Sequence, residues 1–180
     1  MDATEQPRPD CWLSSGALVA RSAIEGAGLV AVRPFAAGEL VARLGGRLVS
    51  DAQLRELFEV AAATGAYVDT VSIDDDVDLV LPEGDPLHAG NHSCDPTMWW
   101  TDPYLLVARR DVAPGEELTL DYATVTDDPG YVLDCRCGAP RCRGRVTGRD
   151  WQLAALRSAY GDHWVPGLRR RTGGGAAISE

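Results

Sequence analysis

Three cysteines stand close together in the segment "CRCGAPRCRG", spaced as C-x-C-x4-C at Cys135, Cys137 and Cys142. Thiolates at this density are typical of a tetrahedral zinc site, which needs four ligands. One coordination position is left over, and Cys94 in "NHSC" is the best candidate to fill it. Cys11 stands apart near the start of the chain and is the spare thiol. A shared metal would hold two distant segments together, which strongly constrains the fold.

A second hypothesis takes His92 and Cys94 as a catalytic nucleophile pair. A thiolate bound to metal in a closed four-sulfur site has little freedom to attack a substrate, so the two hypotheses exclude each other. The chain has 5 cysteines, an odd number, and no secretory signal, so a complete disulfide framework is not expected. The cysteine pattern favours metal binding.

The charge of the chain narrows the classes of partner. Its 180 residues carry a formal net charge of −10, which argues against direct nucleic-acid binding and favours attraction to basic partners. All 17 basic residues are arginine, which indicates either a GC-rich genome or the exclusion of lysine from an activity that would modify it. No apolar run is long enough for a membrane span, so we expect a cytoplasmic protein without membrane contact.

Short strands dominate the predicted secondary structure. Strand–turn–strand patterns occur in "GLVAVRPFAAGELVARL", "VSIDDDVDLVLP" and "LLVARRDVAPGEELTLDY", each with turn residues in its middle. The first and third share the motif Arg-x-x-Ala-x-Gly-Glu, at residues 33–39 and 110–116. The acidic residues of the second are expected to form a solvated turn. These patterns predict a mainly β protein.

Two modest helices complete the prediction. In "SDAQLRELFEVAAATG", Ser50 and Gln53 form a capping box and Gly65 ends the helix, with one face made by Leu54, Leu57, Phe58 and Ala61. In "TGRDWQLAALRSAYG", Thr147 and Asp150 have capping-box spacing and Gly161 ends the helix. Residues 1–14 are predicted to be a loose leader, and residues 169–180 a disordered tail.

Several motifs together resemble one known family. "IEGAGLVAVRPFAAGE", "GNHSCDPT", "GEELTLDY" and "CRCGAPRCRG" are similar, in this order, to the SET-domain family of protein lysine methyltransferases, in a form with a zinc-binding post-SET segment. The similarity covers about residues 15–146. It implies a β-clip stack of small sheets with knot-like C-terminal threading. The domain divisions are then a catalytic part at 15–134, a zinc segment at 135–146, and a C-terminal helix and loop at 147–168.

The resemblance also implies roles for individual residues. Tyr122 matches the catalytic tyrosine, and Leu120 and Tyr131 border the channel for the substrate lysine. Cys94, Cys135, Cys137 and Cys142 match the ligands of a structural zinc ion. Residues that match the binding site of S-adenosylmethionine are Gly26, Ala27, Gly28, Tyr67, Asn91 and His92. The implied reaction is methyl transfer to the ε-amine of a lysine in a basic protein or peptide.

Two positions depart from the family pattern. Thr97 stands where the family usually has asparagine, which affects local hydrogen bonds. Leu120 stands where the family often has phenylalanine or tyrosine, and this position borders the lysine channel. A different hypothesis is a catalytically silent zinc module that binds a basic partner through its acidic surface. Binding of S-adenosylmethionine would discriminate the two hypotheses.

Overall fold

The computed structural model describes residues 6–173, in which short strands alternate with long connections. The helices are α1 (Asp51–Thr64), α2 (Ala154–Tyr160) and α3 (Pro166–Thr172). The strands are β1 (Trp12–Leu13), β2 (Ala17–Arg21), β3 (Ala27–Ala31), β4 (Leu40–Arg43), β5 (Arg47–Val49), β6 (Thr70–Asp74), β7 (Val77–Val80), β8 (Met98–Asp102), β9 (Leu105–Ala108), β10 (Glu117–Leu118), β11 (Val132–Asp134) and β12 (Arg145–Thr147).

The strands form several small sheets, as the sequence predicts. Within the described residues the sheets have the strand orders β1-β4-β9-β8, β10-β3-β2, β5-β7-β6 and β11-β12. Neighbouring strands in these sheets are antiparallel. The most completely buried side chains between them include Trp100, Phe35, Leu29 and Met98. The mainly β fold class is confirmed.

Two of the three predicted hairpins are wrong. β6 and β7 pair across the acidic turn as expected. β3 and β4, which flank the first Arg-x-x-Ala-x-Gly-Glu motif, belong to different sheets. The same is true of β9 and β10, which flank the second. The reason lies in the two motifs, whose backbone groups pair with each other instead of closing a hairpin.

The two motifs form a pair of turns related by local two-fold symmetry. Phe35 and Val112, at corresponding positions, exchange backbone hydrogen bonds of 3.0 and 2.9 Å. The ion pairs inside the motifs also correspond: Arg33–Glu39 at 2.7 Å and Arg110–Glu116 at 2.8 Å.

The glycines of the two turns donate equivalent backbone hydrogen bonds. The amide of Gly38 donates to the carbonyl of Ala108, and the amide of Gly115 donates to that of Ala31, both at 2.8 Å. Both glycines have positive φ, +81° and +89°, which a residue with a Cβ rarely adopts. Each turn is therefore completed by the strand that precedes the other turn.

Helix α1 begins and ends where the sequence predicts. Ser50 and Gln53 form both hydrogen bonds of the capping box, and Gly65 ends the helix in the left-handed conformation. Its predicted apolar face is only partly covered, however, since Phe58 is 46% exposed. Leu54 and Phe58 line an open cavity described below instead of a closed core.

The second predicted helix starts later than its capping signal indicates. Thr147 belongs to β12, residues 150–152 form a 3-10 turn, and α2 begins at Ala154. The predicted capping box does not form: the Thr147 hydroxyl donates to the carboxylate of Asp150 at 2.7 Å, and this carboxylate also pairs with Arg143 at 2.9 Å. Gly161 does end the helix.

The prediction of a disordered tail from residue 169 is wrong for its first residues. α3 continues to Thr172, with Pro166 in its first turn and Gly173 in the left-handed conformation after it. Arg170 binds Asp74 and Asp75 of the β6–β7 turn, which explains why this arginine-rich stretch is ordered. Residues 174–180 lie outside the described residues.

The predicted leader is also partly structured. Trp12 and Leu13 form β1 and pair with β4, and the amide of Gly46 donates to the carbonyl of Arg8 at 2.8 Å. Residues 1–5 lie outside the described residues. Among the residues that are described, no helix combines the length and the apolar composition that crossing a bilayer requires.

Candidate active site and metal centre

The "NHSC" and "ELTLDY" segments lie side by side, as the family resemblance implies. The amide of Leu120 donates to the carbonyl of Asn91 at 3.1 Å, and the amide of Ser93 donates to the carbonyl of Leu120 at 3.0 Å. His92 and Leu120 thereby form a parallel bridge. This pairing brings the cofactor, channel and metal candidates into one region.

Thr97, where the chain departs from the family pattern, strengthens the same pairing. It is buried, and its hydroxyl accepts the amide of Thr119 at 2.8 Å and donates to the carbonyl of Glu117 at 3.0 Å. The hydroxyl therefore satisfies one donor and one acceptor on the facing segment.

The four cysteines singled out in the sequence converge. The Sγ atoms of Cys94, Cys135, Cys137 and Cys142 all lie within 4.8 Å of one another. The Sγ atoms of Cys94 and Cys135 are 3.8 Å apart. Four sulfurs bound tetrahedrally to one zinc ion would be about 3.8 Å apart, given Zn–S bonds of about 2.3 Å. The cluster therefore has the dimensions of a structural zinc site.

Backbone amides surround the sulfur atoms. Each of the four sulfurs accepts one amide at 3.4 Å: Cys94 from Arg143, Cys135 from Cys137, Cys137 from Cys94, and Cys142 from Gly144. Such bonds stabilise thiolate charge. Burial raises the pKa of the Cys94 thiol to about 11, so the cluster needs a bound cation to become fully ionised near neutral pH. The donor set fits zinc.

Cys11 takes no part in this cluster. Its Sγ contacts the backbone of Gly45, with the Gly45 amide 3.1 Å away. Burial raises the pKa of the Cys11 thiol to about 11. It is a half-buried thiol apart from the cluster, in agreement with its interpretation as the spare cysteine.

Tyr122 is partly buried, and its hydroxyl is directed at the backbone. The hydroxyl donates to the carbonyl of Gly90 at 2.7 Å. Burial, followed by the nearby Tyr131, raises the pKa of Tyr122 well above its ordinary value. The hydroxyl therefore stays protonated at physiological pH, and Tyr122 acts there as a hydrogen-bonding group and not as a base.

A cavity of about 520 Å³ lies beside Tyr122. The predicted channel residues Leu120 and Tyr131 both line it, together with the apolar side chains Trp100, Met98 and Phe58. Burial raises the pKa of Tyr131 to about 12, so its hydroxyl is also neutral. The wall of the cavity thus combines apolar side chains and tyrosines with two acidic residues, Asp69 and Asp128.

One acid–histidine pair in the cavity wall was not found by sequence reasoning. His88 Nδ1 lies 3.1 Å from a carboxylate oxygen of Asp69, and its Nε2 lies 2.8 Å from the carbonyl of Pro82. Burial raises the pKa of Asp69, and His88 opposes that shift. The two residues are almost twenty positions apart, and no motif links them.

The cofactor candidates form a cluster around Asn91. Its Nδ2 donates to the carbonyl of Ala27 at 2.8 Å and to that of Glu25 at 3.1 Å. It also lies 2.8 Å from Oε1 of Glu117. Gly26 has φ of +49°, which favours glycine at this turn. The glycine segment and Asn91 are therefore held together as the resemblance implies.

Glu117 is the acidic centre of this cluster, and sequence reasoning missed it. Its carboxylate accepts the Ser22 hydroxyl at 2.9 Å. A Cβ placed on Gly28 would lie only 2.3 Å from Glu117 Oε1, so the carboxylate occupies the space that a side chain there would fill. The sequence could have indicated Glu117, because it lies in the "GEELTLDY" segment that resembles the family.

Tyr67, which the resemblance assigns to the cofactor site, lines the same cavity as Tyr122. Its ring is 5.8 Å from that of His88, and it is 72% exposed. The cofactor role of Tyr67 stays a prediction.

His92 connects Tyr122 with the metal cluster. Its Nδ1 accepts the amide of Tyr122 at 3.1 Å, so the ring proton is on Nε2, which lies 3.4 Å from Cys94 Sγ. Burial lowers the pKa of His92 to about 4, against the attraction of Asp121. The ring is therefore neutral, and it bridges the Tyr122 amide and Cys94 Sγ.

A buried ion pair lies next to Tyr122. Asp121 is fully buried and accepts two hydrogen bonds of 2.7 Å from the guanidinium of Arg143. Burial alone would raise the pKa of Asp121, but Arg143, with smaller contributions from His92 and Tyr160, reverses this and the pKa is lowered. Sequence reasoning missed Arg143, although it directly follows Cys142 of the cysteine cluster.

Comparison with known proteins gives the family. The sequence model of the SET domain matches residues 26–123, which include the glycine segment, Asn91, His92, Cys94 and Tyr122. The chain belongs to the SET-domain family. The metal segment with its remaining cysteines lies just beyond this match.

Individual SET proteins resemble this chain over most of its length. The chain is 33% identical over 137 residues to histone-lysine N-methyltransferase TRX1 of Oryza sativa subsp. japonica, covering 70% of this chain and 13% of that protein. It is 34% identical over 134 residues to histone-lysine N-methyltransferase 2B of Homo sapiens, covering 69% of this chain and 5% of that protein. The SET chain thus corresponds to a small part of these relatives.

A solved structure supports the fold. The methyltransferase domain of human histone-lysine N-methyltransferase SETMAR superposes with a TM-score of 0.57 at 21% sequence identity, over 73% of this chain and 58% of that one. At this identity the likeness concerns the fold. The stack of small sheets is therefore a SET fold.

Proposed function

We propose that this SET protein transfers a methyl group from S-adenosylmethionine to the ε-amine of a lysine in a protein or peptide. The observation that carries the proposal is the hydroxyl of Tyr122, which is bonded to Gly90 at 2.7 Å. Gly90 directly precedes Asn91, so this contact lies between the cavity and the glycine–asparagine cluster. The relatives are named as histone-lysine methyltransferases, which agrees with the reaction but concerns far longer proteins.

The cluster around Asn91 fits S-adenosylmethionine. The cofactor carries an ammonium and a sulfonium, both of which favour oxygen acceptors. The cluster offers backbone carbonyls of Glu25 and Ala27 and the carboxylate of Glu117. A Cβ placed on Gly26 would meet nothing within 4 Å, so a ligand can approach this backbone closely at Gly26. When bound there, the cofactor supplies the methyl group.

The cavity beside Tyr122 fits the substrate lysine. An amine attacks only when neutral, and lysine has a reference pKa of about 10.4, so the enzyme has to favour the uncharged form. Apolar side chains such as Leu120, Met98 and Trp100 desolvate the amine and lower its pKa. The neutral hydroxyls of Tyr122 and Tyr131 orient it through hydrogen bonds. Alignment of the reacting groups supplies the remaining acceleration.

The metal role belongs to the four cysteines. Cys94, Cys135, Cys137 and Cys142 would hold one zinc ion in a closed site without an open position for substrate. Such a site stabilises the fold and supplies no Lewis acid to the reaction. It would fix the C-terminal segment against the "NHSC" segment.

We further propose a basic substrate and a cytoplasmic location. The net charge of −10 raises the local concentration of positively charged peptides at low salt. The absence of lysine from the chain means that the enzyme does not methylate its own lysines.

Methyl transfer with labelled S-adenosylmethionine tests the proposal. The purified protein is incubated with a lysate of the source cells, and labelled proteins are identified by mass spectrometry. Label on lysine that disappears with Tyr122→Phe is the expected result. Tight cofactor binding by calorimetry without any transfer to protein would contradict it, and absence of both binding and transfer would favour the silent zinc module.

A further inference from the structure

The carboxylate of Asp121 accepts hydrogen bonds from three residues in separate parts of the chain. Its carboxylate accepts two bonds from Arg143, one of 2.7 Å from the hydroxyl of Tyr160, and one of 3.0 Å from the amide of Ala123. It is fully buried, so water does not replace any of these partners. Since Asp121 directly precedes Tyr122, these bonds fix the backbone from which the Tyr122 ring projects.

Arg143 joins this carboxylate to the metal centre. It directly follows Cys142, and its own amide donates to Cys94 Sγ at 3.4 Å. Its guanidinium meets Asp121 with two parallel bonds of 2.7 Å, and its Nε lies 2.9 Å from Asp150. One residue therefore contacts a metal ligand through its backbone and the neighbour of Tyr122 through its side chain.

Two neighbouring arginines, Arg136 and Arg145, form exposed ion pairs instead. Arg145 pairs with Asp134 at 3.1 Å with both side chains largely exposed. Exposed pairs of this kind contribute little to stability. The side chain of Arg143, by contrast, is only 15% exposed. The fork of a guanidinium fixes direction as well as charge, which a lysine ammonium does not.

We propose that Arg143 is a positioning residue, which sets the orientation of Tyr122 through its paired hydrogen bonds to Asp121. The inference rests on the proposed function, because Tyr122 is the group whose placement matters. A small misplacement of Tyr122 relative to Gly90 would impair alignment of the reacting groups while leaving the binding surfaces in place. The segment that carries Cys142 and Arg143 would then contribute to the reaction by orienting Tyr122.

The Arg143→Lys variant tests this, with Arg145→Lys as the matched control from the same region. Arg143→Lys keeps the charge beside buried Asp121 and removes the paired bonds. We expect its kcat to fall by at least about tenfold, with the peptide KM within about twofold of the wild type and one zinc still bound. Arg145→Lys should keep wild-type kcat and KM. A wild-type kcat in Arg143→Lys, or loss of its zinc, would overturn the proposal.

Hydrogen exchange gives a readout that does not need activity. The Tyr122 amide is protected by its bond to His92 Nδ1. We expect this amide to exchange at least about tenfold faster in zinc-loaded Arg143→Lys than in the wild type, while amides of the β6–β7 hairpin are unchanged. Equal exchange at Tyr122 in both proteins would refute the positioning role. If the wild type transfers no methyl group, the proposed function fails, and the exchange measurement still decides the role of Arg143.

Discussion

The hydroxyl of Tyr122 and the backbone carbonyl of Gly90 are joined by a hydrogen bond of 2.7 Å. This bond links the end of the "ELTLDY" segment to the residue before Asn91. It lies within the lining of the cavity, and burial keeps the hydroxyl protonated by raising its pKa.

Tyr122→Phe should remove most turnover and leave cofactor affinity near the wild-type value. The substitution keeps the aromatic ring and its packing and removes only the hydroxyl. Because the hydroxyl is proposed to act on the reacting atoms, its removal should lower kcat. Steady-state kinetics with a peptide substrate and calorimetry with S-adenosylmethionine measure the two effects. An unchanged kcat would show that Tyr122 has only a packing role.

Purified protein should contain one zinc ion per chain. Cys142→Ser should reduce the zinc content to less than half an equivalent, because three sulfurs make a poor closed site. The matched variant Cys11→Ser should retain zinc, since Cys11 contacts Gly45 and not the cluster. Elemental analysis measures the metal. Loss of zinc from Cys11→Ser, or its retention by Cys142→Ser, would contradict the assignment of ligands.

Chelation of zinc should lower the free energy of unfolding as well as abolish activity. The metal ties the segment that carries Cys135 to the segment that carries Cys94, and binding energy of this kind contributes to folding. Thermal unfolding with and without a strong chelator measures the effect. A chelated protein with an unchanged midpoint would mean that the cluster does not stabilise the fold.

Leu120 should allow more than one methyl transfer to the same lysine. A second transfer needs space for the methylated amine to turn, and leucine is smaller than tyrosine and holds no water by a hydroxyl. Leu120 lines the cavity with Tyr67 and Tyr131. Mass spectrometry of a peptide at full conversion should show dimethyl- or trimethyl-lysine, and Leu120→Tyr should stop at one methyl group. Monomethyl-lysine as the sole wild-type product would refute this.

Asp78→Asn should increase stability at neutral pH. Asp78 is buried, and burial raises its pKa, with Ser72 opposing the shift and Asp51 adding to it. A group with a raised folded-state pKa favours folding when protonated, so this contribution is lost as the pH rises through the folded pKa. Asparagine keeps the acceptor for the Ser72 hydroxyl, which now donates at 2.8 Å. We expect the free energy of unfolding at pH 7 to be higher than that of the wild type.

The pH dependence separates this effect from general stabilisation. The difference between Asp78→Asn and the wild type should shrink as the pH falls toward about 3.9, below which the carboxyl is mostly protonated in both the folded and the unfolded chain. Glu59→Gln, on the exposed face of α1, serves as the control and should change little at any pH. Urea unfolding of the three proteins between pH 4 and 8 decides the matter.

Features set by neighbouring residues could be predicted from the sequence. The capping box of Ser50 and Gln53 and the stop at Gly65 are local, and they appear as predicted. The cysteines could also be placed together, because a shared metal demands four ligands whatever their separation in sequence. The coordination number of zinc therefore predicts a contact between segments that are far apart in the sequence.

Features set by distant partners could not be predicted in this way. Asp150 has the spacing of a cap, but Thr147 and Arg143 take its carboxylate. Arg143 is one of many arginines, and nothing in its sequence neighbourhood marks Asp121 as its partner. Arg170 forms an ion pair with Asp74, beside the acidic turn. This distant contact stabilises α3, whose last residues were predicted to belong to a disordered tail. In each case burial or ion pairing overrides a local signal.

The paired turns at Phe35 and Val112 have a consequence for the time course of folding. The amide of Gly38 finds its acceptor only at Ala108, and that of Gly115 only at Ala31. Neither turn is complete until the long intervening segment has closed, and closure on this scale slows the search for the native state. Both turns should therefore form in the same late, rate-limiting step. A nascent chain that ends before Ala108 would leave the first turn unfinished until the second has been synthesised.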